Sequence, residues 1–409
     1  MDQESAVAST DKLETIGKIE NWIFYFLCGY ALFSSVSMAG ANVFLGLVTL
    51  TAIIRLIKKH DDWREKLRID KQLLIPFGIM VGIFALTSIF STDLLKSVDV
   101  LSNHYVNRMI PFFCVLMFIR DKRKIFLLGI LAGISFLVNN IACIAQWHNL
   151  FGGHAHDRTG GFIGTMMAAG IDSMWVPVLA LLMATLKSKS RYVVGVVFVI
   201  TTVGTIYNGT RGAWLAILLS IVIVVFLYIR EKTKALAVIL ALVMGVCLMV
   251  GNIDWMSSRA HTIMNPSADN SANERLLLWE SARNMATDYP ITGVGYGCFG
   301  KNYQDKYILP NAVYRDLGHA HSNFFHVLGE NGYPGAVAVC FWWFGTIVYC
   351  IKGWIKYNNI GYLTILAIFL GVMLQGVTEY TMGDSIVMKL FWFGVGLSYQ
   401  WIKLNTDNE

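Results

Sequence analysis

The chain has 409 residues, of which 55% are hydrophobic and only 15% charged. That balance excludes an ordinary soluble domain, which carries more charge and less apolar mass. The net charge of +6 would suggest an anionic partner in a soluble protein. In so apolar a chain it belongs to the loops that orient membrane spans, and no nucleic-acid partner is expected.

Apolar runs of about 20 residues recur, each long enough to cross a roughly 30 Å hydrocarbon core. Backbone polar groups in such a core must bond internally, so each run is read as a helix. Twelve spans are predicted, at 21–37, 40–57, 73–91, 99–119, 125–146, 166–186, 192–207, 213–229, 235–252, 333–354, 361–380 and 385–402. The fourth is the weakest, because His104 and Arg108 fall in or beside it. The polar first 20 residues lack the parts of a signal peptide, so the first span is expected to stay as an anchor. Cys28, Cys114, Cys143, Cys247, Cys340 and Cys350 lie in spans and Cys298 in a loop. Their spacing indicates neither a disulfide framework nor a zinc site. The expected fold class is an all-α integral membrane protein: one polytopic domain over 1–409, with a long structured loop at 253–332 between spans nine and ten.

With the N-terminus in the cytoplasm, the inner segments hold 22 of the 33 Lys and Arg residues, and the outer segments hold 10. This bias puts both termini inside and the long loop outside. Eight of the nine histidines, all but His60, then fall on the outer side. A loop of that length is functional or disordered. Here Asn273–Asp288 reads as an amphipathic helix, with Glu274 near its start, Pro290 past its end and an apolar stripe of Leu276, Leu277, Trp279, Ala282, Met285 and Ala286. It is expected to lie on the membrane surface or on the bundle. A second helical stretch is expected from about Ser322 to Asn331.

Four groups of residues could carry chemistry. His319, His321, His326 and Glu330 lie together in GHAHSNFFHVLGENGYPG, residues 318–335. A neutral imidazole at a helix start, facing water, can act as a general base; the plainer reading is a set of interfacial polar side chains. Arg211, in the Gly-flanked turn YNGTRGAWLA, suits a phosphate because its fork bonds two oxygens at once. Its alternative is a snorkelling cation at the lipid head groups. Arg275, Trp279 and Arg283 share a face of the loop helix and could grip a pyrophosphate, although a solvated face suits Arg283 better. In RTGGFIGTMMAAG, which starts at Arg158, Gly160, Gly161 and Gly164 could bring backbone N–H groups close to an anion. Asp172 is an acid a short way into the span that follows. Two signals are set aside. GVGYGCFG at 293–300 lacks the strand–turn–helix context of a dinucleotide site. The His-x-His pairs 154/156 and 319/321 have no carboxylate or thiolate at a known spacing, so no metal ligand set is expected.

Taken in order, these segments resemble the O-antigen ligase and polymerase superfamily of bacterial inner-membrane glycan transferases. NGTRGAWLA resembles its Ser/Thr-Arg-Gly-Ala segment. NERLLLWESARNMATDYPITGVGYGCFG resembles its Arg-x-x-x-Trp helix with the Pro and Gly-x-Gly-x-Gly-x-Phe turn. HAHSNFFHVLGENGYPG resembles its His-x-His-Asn segment running on to Leu-x-Glu-x-Gly-x-x-Gly, and RTGGFIGT its Arg-x-x-Gly-x-Phe entry. Here Ser322 intervenes before Asn323, and His321 rather than His319 is aligned with the catalytic histidine.

The resemblance implies a membrane glycosyltransferase, GT-C-like, in the inner membrane of a Gram-negative bacterium with a periplasmic site. The donor would be a glycan on undecaprenyl pyrophosphate, and the acceptor a sugar hydroxyl of lipid A–core oligosaccharide. His321 would be the base, with Arg211 and Arg275 on the pyrophosphate. His319, Arg158, Arg283, Trp279 and Glu330 would contact substrate. The leaving group is already a stable anion, so no metal or other cofactor is demanded. Without a close carboxylate pair, direct inverting attack is expected. O-antigen polymerase and protein O-oligosaccharyltransferase share this donor half. A transporter or flippase would instead show matching halves and mid-span charges, and neither is present in the sequence.

Overall fold

The computed structural model describes residues 3–58, 67–150, 158–264 and 270–406, and among these there are helices and turns but no strand. The His154–His156 pair lies outside the described residues. Among the described residues, eight helices are long and apolar enough to cross a membrane by length and composition: Met38–Lys58, Lys71–Ser88, Lys122–Trp147, Thr165–Thr185, Ser190–Asn208, Arg211–Tyr228, Lys232–Asn252 and Asn323–Tyr357. This is the build of a multi-pass membrane protein. Helices Gln3–Phe33, Ile360–Gln375 and Ser385–Thr406 complete the bundle.

Short polar side chains start several of these helices. Asp70 Oδ1 accepts the Gln72 N–H at 2.9 Å, Asp93 Oδ1 the Lys96 N–H at 3.1 Å and Asp121 Oδ1 the Arg123 N–H at 2.8 Å. Each such cap is worth about 1 kcal/mol, because the first turn of a helix leaves its N–H groups unbonded. Ile360–Gln375 is buried on nearly every face and forms the centre of the bundle, packed against Thr165–Thr185 and Arg211–Tyr228. Lys232–Asn252 stands at the other extreme, with Ala235 as its one buried residue. A helix apolar all round and unburied by its own chain belongs in lipid. Near their polar ends the first two helices are tied by Glu20 and Arg55, whose Oε1 and Nη2 are 2.7 Å apart.

The expected fourth span, 99–119, is not one helix. Leu94–Tyr105 ends, a 3-10 turn covers Asn107–Met109, and a new helix runs only from Ile110 to Phe118. Pro111 sits in the first turn of that new helix, where its missing N–H costs nothing. Arg108 is buried in the break and donates from Nη1 to the Met382 carbonyl at 2.7 Å. At about 1.5 Å per residue, neither piece could cross a bilayer.

Helix Asn270–Asp288 forms as expected and packs on Asn323–Tyr357. Its buried stripe, however, is Glu274, Leu278, Ser281, Ala282, Met285 and Ala286, while Leu276 is 50% exposed. The expected stripe was offset because Glu274 itself turns inward, where its carboxylate accepts the Val313 and Tyr314 N–H groups at 2.9 and 3.3 Å.

The helical stretch expected from Ser322 to Asn331 is the first part of Asn323–Tyr357, which kinks at Gly332 (φ +65°) just before Pro334. Pro334 has no N–H to give Glu330. Gly295 N donates to the Glu330 carbonyl instead at 2.9 Å, Val294 N to that of Gly329 at 3.0 Å, and Tyr333 N turns away to Pro290 O at 2.9 Å. The glycines of GVGYGCFG therefore serve the kink. Gly293, Gly295 and Gly297 all have positive φ, and a Cβ on Gly295 would lie 1.9 Å from Ser91 Oγ.

Candidate active site

The segment between Ile360–Gln375 and Ser385–Thr406, GVTEYTMGD at 376–384, is the centre of the site. Asn323 holds it in place. Its backbone N donates to Gly376 O at 2.7 Å, its Nδ2 to Thr381 Oγ1 at 2.8 Å, and its Oδ1 accepts the Met382 N–H at 3.0 Å. These three bonds anchor the segment against the start of the kinked helix, which Ser322 caps through its contact with Phe325 N.

Glu379 points from this segment to the histidine loop. Its Oε1 lies 2.9 Å from His321 Nδ1, and the carboxylate is only 6% exposed. An ionised carboxylate can only accept, so Nδ1 carries the proton and Nε2 is left with the lone pair. Burial alone would raise the Glu379 pKa. The His321 hydrogen bond, the charges of His321 and His319 and the Tyr380 N–H outweigh it and bring the pKa below the ordinary value. His321 has φ +45°, a left-handed backbone that costs a residue with a Cβ about 1 kcal/mol or more. The surroundings hold it there. Trp279 Nε1 donates to the Ala320 carbonyl at 3.1 Å, and His321 N donates to His319 Nδ1 at 3.3 Å. Burial, with the charge of His321 next, lowers the His319 pKa to about 4.

Arg275 reaches the same segment. Its Nε donates to Thr378 O at 3.0 Å, its Nη1 to Ser271 Oγ at 2.7 Å, and its Nη2 lies 3.9 Å from Glu379 Oε2. Arg211 begins the helix Arg211–Tyr228 directly after Gly209 (φ +70°) and Thr210. Its neighbour Gly212 is pressed on Thr378, since an added Cβ would lie 2.3 Å from Thr378 Oγ1. Arg275 thus bonds Thr378, one residue from the carboxylate that binds His321, and the turn that carries Arg211 meets Thr378 through Gly212. Arg158 joins the Arg211 turn from the other side, with Nη2 donating to Thr210 Oγ1 at 2.7 Å. Asn208 Nδ2 fastens the two strands of chain by donating to Thr159 O and Thr165 O, both at 2.9 Å.

Residues 196–340 match the family model described as O-antigen ligase. Over that segment the chain is similar to the O-antigen ligase family. No curated protein matches the chain. The matched segment contains Arg211, Arg275, His319 and His321, while Arg158 precedes it and Glu379 follows it.

The remaining site residues of the ligase-family reading fall elsewhere. Trp279 stacks on Phe325 at 4.8 Å and spends its N–H on Ala320, so it braces the histidine loop. Glu330 is 1% exposed and accepts the Phe299 N–H at 3.0 Å, with His326 Nε2 at 3.3 Å. Glu330 is thus buried beneath the site, and Trp279 is half-buried beside it. Arg283 is 64% exposed and faces Glu280 at 3.7 Å, because eight residues of helix carry it past the cluster. The N–H groups of Gly160 and Gly161 go to Gln146 Oε1 at 3.3 and 2.9 Å, and that of Phe162 to Asn139 Oδ1. The N–H groups of Gly160, Gly161 and Phe162 are therefore spent on side chains of the preceding helix. Asp172 is buried and accepts from Asn140 Nδ2 at 3.0 Å, inside the bundle.

Glu379 was not among the residues the sequence singled out. It sits at the end of the expected span 361–380, where an acid looks like a polar flank. The signal that could have found it is the run of Thr378, Glu379 and Thr381 between Gly376 and Gly383, with Asp384 directly after, at the same end of the bundle as the histidines.

Proposed function

We propose that the protein is an O-antigen ligase, which transfers a glycan from undecaprenyl pyrophosphate to a sugar hydroxyl of lipid A–core at the periplasmic face of the inner membrane. The observation that carries this reading is the His321–Glu379 pair at 2.9 Å with Arg275 beside it. A carboxylate that holds Nδ1–H and leaves Nε2 free is the arrangement a general base needs. His321 Nε2 takes the proton from the acceptor hydroxyl, and the freed oxygen pair bonds to the anomeric carbon. The bond from that carbon to the pyrophosphate oxygen breaks, and the electron pair leaves with undecaprenyl pyrophosphate. Attack and departure on opposite faces invert the anomeric centre. Glu379 stabilises the imidazolium that forms. Arg275 and Arg211 hold the two phosphates and stabilise the charge that develops on the leaving oxygen. Arg158 holds the Arg211 turn from behind. The pyrophosphate is a good leaving group, so the step needs no metal.

A twelve-pass arrangement with both termini in the cytoplasm belongs to this proposal. The distribution of Lys and Arg supports it, with residues 94–118 crossing together as one broken span. Deleting the gene in a strain that makes O-antigen tests the function. The expected result is bare lipid A–core on a lipopolysaccharide gel, with lipid-linked polymer accumulating. Wild type restores the ladder, and His321→Ala at equal expression does not. Core carrying a single repeat would make the protein a polymerase, and an unchanged ladder would discard both readings.

A further inference from the structure

His319 has no part in the chemistry above, yet it lies against the base. The His319 and His321 ring centroids are 4.2 Å apart. One ligating atom each from His319, His321 and Glu379 falls within 4.8 Å of the others, the group of this kind found among the described residues. Glu379 Oε2 is buried and makes no hydrogen bond. It is an acceptor taken out of water with only the Arg275 guanidinium 3.9 Å away. Two imidazoles and a carboxylate are the donor set of a three-ligand zinc site with an open fourth position. The carboxylate that the His-x-His spacing lacks along the chain is supplied here by another loop.

We propose that His319, His321 and Glu379 form a binding site for a divalent transition-metal ion, zinc above all, and that its occupation switches the transferase off. Ligands about 2.1 Å from a tetrahedral zinc stand about 3.4 Å from one another. Small side-chain rotations of His319 and Glu379 would close the cluster from 4.8 Å. A His321 nitrogen that coordinates zinc has no lone pair for the acceptor proton, and a Glu379 oxygen that does so no longer supports the imidazolium. The guanidinium of Arg275 opposes a second cation so near, which sets the affinity in the micromolar range rather than that of a structural zinc. Magnesium, which prefers oxygen ligands, is not held by this set. The inhibition arm rests on His321 as the base; the binding arm does not.

The test uses the full chain, purified in detergent and stripped with chelator, titrated with zinc chloride by calorimetry and followed by thermal shift. One zinc per chain with micromolar affinity is expected, no response to magnesium at the same concentrations, and at least tenfold weaker binding in His319→Gln. A double variant, His154→Gln with His156→Gln, is expected to bind as wild type does. No zinc response in wild type would overturn the site, and so would binding that survives His319→Gln but not the double variant. Glycan transfer is then measured across a zinc series. Half-inhibition is expected near the binding constant, shifted at least tenfold upward in His319→Gln relative to that variant's own zinc-free rate. Zinc that binds as described without inhibiting transfer leaves the site standing and removes His321 as the base.

Discussion

Glu379 and His321 come from segments 58 residues apart, and the 2.9 Å between them fixes the imidazole as the proposed base requires. Glu379→Gln keeps an acceptor of the same shape but loses the charge. The transfer rate is expected to fall by about 100-fold or more, the size usual for general-base catalysis. An unchanged rate in a folded variant would reduce Glu379 to a structural prop. His319 gives a second test, in stability. Its folded pKa is lowered to about 4 from an ordinary 6.5, so the fold favours the neutral ring. Between pH 6.5 and 4 the unfolded chain takes up a proton that the folded chain refuses, and stability falls as pH falls through that window. Glu379, whose folded pKa lies below the ordinary 4.5, adds its own loss only as pH falls below that. Thermal midpoints in detergent should therefore decline from pH 6.5 to 4 in wild type and less steeply in His319→Gln.

Two elements carry the site, the segment 376–384 and the kinked helix Asn323–Tyr357, and Asn323 joins them. Asn323→Ala keeps the backbone bond to Gly376 but removes both side-chain bonds, leaving the Met382 N–H unsatisfied in a buried place while Thr381 Oγ1 keeps its bond to the Val372 carbonyl. A cost of about 2–4 kcal/mol is expected, read as a lowered unfolding midpoint, together with reduced transfer because Glu379 loses its support. Asn323→Asp retains the acceptor for the Met382 N–H and should fall between the two. A midpoint equal to wild type in Asn323→Ala would show that the segment holds itself. The kink explains why the Gly-x-Gly-x-Gly turn is where it is. A proline frees the carbonyl one turn back, and glycines with positive φ are the residues that let another backbone come close enough to bond it.

Across the molecule the polar chemistry gathers at one end of an apolar bundle, and the proposed topology puts that end outside. In a protein whose native cysteines are replaced, cysteine introduced at Val313, which is 72% exposed, should react with an impermeant maleimide in intact spheroplasts. One introduced at Lys234, in the turn before Lys232–Asn252 gains its apolar face, should react only after permeabilisation. The opposite pattern would invert the topology and place the arginines away from a flipped donor.

The membrane class, the helical composition and most helix positions were legible in the sequence, because long apolar runs in lipid can only be helices. His321, Arg211 and Arg275 were singled out there too, since polar side chains stand out against such runs and their order resembles a family. What lay beyond it were the matters of partnership. The break at Asn107–Met109 depends on Arg108 finding the Met382 carbonyl, a contact 274 residues away in sequence. The inward turn of Glu274 depends on two N–H groups near residue 313, and the places of Trp279 and Glu330 depend on which backbone groups the fold brings to them. Glu379 became part of a site only when Asn323 fixed its segment beside His321. Apolar periodicity encodes burial one helix at a time, but hydrogen bonds between distant segments are chosen only when the whole bundle packs.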